Sequence, residues 1–178
     1  MEIFDVLVLG VEAGIALAGF AGIIATFQFG GAKGIRRGDA VGLTMVVRDS
    51  LTAAAVCSLA MLLLAFQISE SATWALTSLF ASAVILYGIY SNARLVRHSF
   101  KRKSFLLFWA FGNAVGALVV LANILNAADV VFHREPGPAL MAATLGMSLS
   151  AYSFSRLLLL PIWRAVRSAE AATSQAPA

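Results

Sequence analysis

Charge is what this chain has least of. Asp, Glu, Lys and Arg together make up only 12% of its 178 residues, about half the share of an ordinary soluble domain. Cysteine is nearly absent. Cys57 stands alone in an apolar run, which excludes a disulfide framework and a cysteine-based metal site. There are two histidines, His98 and His133, far apart in separate connecting segments. They exclude a bis-histidine haem pair or a two-histidine metal site within one subunit. Catalytic motifs are missing as well. No GxSxG elbow occurs, and GGAKG at 30–34 lacks the GxxxxGK[ST] pattern of a phosphate loop. No metal site and no cofactor are expected, and the chain reads as non-enzymatic.

What is present is apolar. Hydrophobic residues make up 60% of the chain and the mean hydropathy is +0.86. That composition places it among integral membrane proteins. A crossing helix needs about 20 mostly apolar residues. Five segments meet that length: 4–28, 41–68, 72–95, 104–126 and 138–162. Pro138 suits the first turn of the last one, and Pro161 marks its expected end. The fold class expected is therefore all-α, a single five-helix transmembrane domain over 1–168. Residues 169–178 read as a disordered cytoplasmic tail. The first residues, MEIFD, are acidic where a secretory signal is basic, so the first segment is expected to be a span.

Basic residues set the expected orientation. Lys33, Arg36 and Arg37 follow the first segment; Arg94, Arg97, Lys101, Arg102 and Lys103 follow the third; Arg164 and Arg167 follow the fifth. Only Arg134 falls on the other side. The positive-inside rule then puts the N-terminus out and the C-terminus in, as in a multi-pass protein of the cell inner membrane. The net charge of +4 resides at helix ends and is no nucleic-acid signature. The cluster Arg97, Lys101, Arg102 and Lys103 suits anionic lipid headgroups, and serves equally as the topology signal.

Helical spacing divides the segments into faces. In the first, Gly10, Gly14, Ala18 and Gly22 form a small-residue series that admits another backbone. Asp5, Glu12, Gly19 and Thr26 fall on a second side, and Leu9, Phe20 and Phe27 on a third that suits lipid. Glu12 is the sharpest residue, because an intramembrane acid usually faces protein or a water-filled cavity. It reads either as an ion-binding group or as a structural acid bonded to a neighbouring helix. Gly112 and Gly116 make a second small-residue pair beside Asn113 and Asn123. Thr144, Ser148, Tyr152 and Arg156 stripe the fifth helix. Arg156 either snorkels to the interface or pairs with Asp49. The Arg48–Asp49 couple suggests a charged inner mouth or an interfacial belt. Trp74, Tyr87, Tyr90 and Trp163 suit interfacial aromatic positions.

The run GIALAGFAGIIA at 14–25, followed by a basic loop and a second apolar helix, resembles small bacterial inner-membrane proteins of no assigned role. The resemblance covers the first third of the chain and implies no activity. A five-helix subunit has more packing faces than it needs internally, so partners are expected: membrane lipid, and further copies or a larger membrane complex. The expected function is a homo-oligomeric ion channel or pore, with Glu12, Thr26, Asn113, Ser148, Tyr152, Arg156 and Asp49 as candidate polar intramembrane residues. The alternative is an accessory subunit of an inner-membrane complex.

Overall fold

The structure, a computed structural model, describes residues 2–29, 37–97 and 103–174. It is all-helical: α1 (Ile3–Phe29), α2 (Arg37–Ala65), α3 (Glu70–Arg97), α4 (Lys103–Ala127) and α5 (Gly137–Ser174). Among the described residues, four helical stretches are long and apolar enough to cross a membrane: Ile3–Phe27, Gly38–Ala65, Glu70–Arg94 and Ala110–Ala127. At 1.5 Å per residue, α1 measures about 40 Å. α5, which carries the hydroxyl and Arg156 stripe, falls outside that set. It also runs on through Pro161 to Ser174, so the helix does not end at that proline and part of the expected tail is helical. Lys101 and Arg102 lie outside the described residues, as do the side chains of Arg97 and Lys103.

The helix ends have local causes. Ile68 N–H bonds Leu63 O at 3.1 Å and Gln67 N–H bonds Leu64 O at 2.9 Å, with Gln67 at φ 57°. This is the Schellman arrangement, in which a left-handed residue turns the chain and satisfies the last carbonyls. α4 ends the same way: Val130 N–H bonds Leu125 O, Asp129 N–H bonds Asn126 O, and Asp129 has φ 60°. Ser69 caps α3, its Oγ accepting from Ala72 N–H at 3.4 Å.

α2 packs most extensively, against α1 and α5 and less against α3; α5 touches all four other helices, and α4 packs on α3 and α5. Small residues let the backbones approach. A Cβ added at Gly14 would lie 2.6 Å from Ser50 O and 2.9 Å from the Ala54 Cβ; one at Gly10 would lie 2.6 Å from the Cys57 Sγ. Gly146 brings α5 against the other side of α2, where an added Cβ would meet Asp49 O at 3.0 Å. The core is accordingly rich in small residues: Ala53, Cys57, Ala60, Ala81, Ala139, Ala142 and Ala143, with Leu7, Val56, Val119 and Trp74. Trp74 is therefore buried within the bundle, whereas Tyr87, Tyr90 and Trp163 are exposed.

One end of the bundle is shut by polar packing. Asn126 donates to Ser78 Oγ and Glu135 O, both at 2.9 Å, and accepts from Glu135 N–H at 3.0 Å. Asn123 donates to Val119 O and to Pro138 O, tying α4 to the first turn of α5. Thr77 and Ser82 satisfy themselves on carbonyls one turn back. Thr73, Thr77, Ser78, Asn123 and Asn126 are all buried here, beside Trp74.

Candidate functional site

The opposite half of the bundle is open. A cavity of about 250 Å³ lies between α2, α3, α4 and α5. Its α2 wall runs from Gly38 to Thr52, roughly 20 Å at the helical rise. It therefore occupies the half of the bundle at the ends bearing the basic segments. The space exists because small residues stand where side chains would fill it. A Cβ at Gly112 meets nothing within 4 Å, and one at Gly88 comes no nearer than 3.9 Å to Arg48.

A charged pair lies along this cavity. Arg48 Nε and Nη2 donate to Asp49 Oδ1 at 2.9 and 2.7 Å. Arg48 Nη1 donates to Ser91 Oγ at 2.7 Å and to Asn92 Oδ1 at 2.9 Å, which joins α2 to the last turns of α3. The side chains are 21% and 17% exposed, and the cavity supplies that exposure. Adjacent residues on a helix do not normally face each other. The length of the arginine lets its guanidinium fold back over its neighbour. On α5, the Arg156 guanidinium stands 5.9 Å from the centre of the Tyr152 ring, a cation–π spacing.

Four of the seven polar candidates line this space, Asp49, Asn113, Tyr152 and Arg156, together with Arg48, Gly112 and Gly116. The ion pair made by Asp49 is with Arg48, not with Arg156. Glu12, Thr26 and Ser148 are elsewhere, each on an exposed helix face. Glu12 is flanked by Leu9 and Ile15, both 57% exposed. Thr26 bonds its own helix at Gly22 O. The faces of α1 resolve as follows. The side with Gly10 and Gly14 docks on α2, whereas Asp5, Glu12, Gly19 and Thr26 all face outward. Ala18 is half-buried, and Gly22 meets nothing within 4 Å, so the close approach stops before it. Gly112 lines the cavity and makes no close helix contact; Gly116 has ordinary contacts with Ile85 and Ile89.

Ser91 and Asn92, which hold the Arg48 named above, are site residues that spacing within single helices does not reveal. The available signal was a cation–anion couple inside an apolar segment, together with a Ser–Asn pair near the end of another. Among the described residues, no three of His, Cys, Asp or Glu gather to hold a metal ion. No family model matches the chain, and neither a curated protein nor a solved structure matches it.

Proposed function

We propose that this chain crosses the membrane five times, N-terminus out and C-terminus in, and acts without catalysis as one subunit of a homo-oligomeric ion-conducting assembly in the cell inner membrane. The observation that carries this reading is the exposure of Glu12. A carboxylate among large exposed apolar side chains on a membrane helix needs a partner surface or water. Copies meeting through this face of α1 would enclose the Asp5–Glu12–Thr26 line between them. A weak acid and a hydroxyl along such a line favour cations. The clustering of basic residues at one set of helix ends supports the orientation.

Light scattering on the purified protein tests assembly, and planar-bilayer recording tests conduction. Multimers with cation-selective current, and a severalfold loss of selectivity in Glu12→Gln, are expected. A monomer, or selectivity unchanged in Glu12→Gln, overturns the reading. The same exposed face also suits a different membrane protein. That accessory role gains support if the chain purifies as a monomer yet forms a complex that Glu12→Leu dissociates.

A further inference from the structure

The cavity carries an inference of its own, independent of assembly and conduction. Of the five N–H groups of a guanidinium, Arg48 uses four: one on Nε, two on Nη1 and one on Nη2. One Nη2 donor remains. Asp49 takes both Arg48 bonds on Oδ1, which leaves Oδ2 as an acceptor. A spare donor and a spare acceptor therefore stand side by side on two residues that line the cavity. Ser91 and Asn92 hold the guanidinium in place, so the pair is preorganised. The charged residues lining the space balance: Arg48 and Arg156 against Asp39 and Asp49. Part of the lining is aliphatic, with Ile85, Ile89 and Leu149. At about 250 Å³ the space falls below the ~300–1,000 Å³ of drug-sized pockets.

We propose that this cavity is a binding site for a small zwitterion with an aliphatic body, its ammonium on Asp49 and its carboxylate on Arg48. A neutral cavity with both signs displayed disfavours a net anion or cation, because either would leave one protein charge opposed by its own sign. It accepts a molecule carrying both charges. The rigid pair fixes the order in which the two ends bind, and the aliphatic lining receives the remainder.

Three probes with the same body test this on the full chain in detergent: leucine, leucinamide and N-acetylleucine, which are zwitterion, cation and anion. Equilibrium binding by calorimetry is expected to favour leucine at least tenfold over the other two. In Asp49→Asn that preference over N-acetylleucine should collapse. Should Asp49→Asn fail to fold, Gly112→Leu serves instead. Gly112 lines the cavity and an added Cβ there meets nothing within 4 Å, so a leucine side chain should occupy the space and abolish leucine binding while leaving the elution profile unchanged. Binding of none of the three, preference for the cation or the anion, equal binding of all three, or leucine binding that survives in Gly112→Leu overturns the proposal.

Discussion

Gly10 illustrates how much depends on a single missing methyl group. Its absent side chain leaves room for the thiol of Cys57, which is 1% exposed, and an added Cβ would come within 2.6 Å of that sulfur. The next contacts, Met147 Cε at 3.3 Å and Cys57 Cβ at 3.5 Å, are much easier to accommodate. Gly10→Ala is therefore expected to destabilise the protein by about 1–3 kcal/mol through overpacking. In a Cys57→Ala background the sulfur is gone and the same change should cost clearly less. A double-mutant cycle on detergent unfolding curves measures the difference. Equal costs in both backgrounds would show that the clash is not with the thiol. Residue by residue, the sequence marked Gly10 and Gly14 as points of close approach. It could not separate them from Gly22 or Gly112, which belong to the same spacing pattern but face open space. A small residue permits an approach; whether a neighbour arrives depends on where that neighbour's axis runs.

At the scale of elements, the closed end of the bundle depends on the junction between α4, its following loop and α5. Asn126 uses both sides of its amide there, as donor to Ser78 and Glu135 O and as acceptor from Glu135 N–H. Asn126→Leu keeps the bulk and removes all three bonds. An expected loss of about 1–2 kcal/mol follows from leaving the buried Ser78 hydroxyl and the Glu135 carbonyl without their donor, while the Glu135 N–H keeps only its 3.1 Å bond to Phe132 O. Hydrogen exchange should show the effect locally, with the Glu135 amide losing protection while the α1–α2 contact keeps its own. Protection unchanged at Glu135 would mean that the loop is held by something other than this amide. An amide in an apolar helix signals hydrogen bonding to another element, and Asn123 and Asn126 both do this. Asn113, of the same type on the same helix, lines the cavity.

For the whole molecule, the two halves of the bundle differ in kind. One is closed by buried Thr, Ser, Asn and Trp74 side chains; the other holds the cavity and the Arg48–Asp49 pair. That asymmetry opposes a continuous polar path inside one subunit, and it is why the conducting path proposed above runs between copies. The proposed topology is testable at the same scale. With five crossings the termini lie on opposite sides, so a fluorescent-protein fusion after Ala178 should glow and an alkaline-phosphatase fusion there should be inactive. An active phosphatase at that position would reverse the orientation. Moving Lys101, Arg102 and Lys103 to the 127–137 segment should weaken the orientation if positive charge sets it.

The sequence by itself determined the class, the number of helices and their approximate limits, because apolar length and punctuating polar segments are local properties. α1 and α4 match their expected segments to within a residue or so at each end. Where expectation failed locally, as at Pro161, the helix continued through a residue that usually ends one. Only the tertiary structure decided which polar residues meet. Asp49 bonds Arg48 and lines the cavity, while Glu12, equally conspicuous in the sequence, lies on the outer face of α1. Helical periodicity divides each helix into faces, but it carries no term for which face turns inward. That choice is made by the small residues of two helices meeting, here Gly10 and Gly14 on one side of α2 and Gly146 on the other. The docking of the Gly10 and Gly14 side on α2 turned Glu12 away from the bundle.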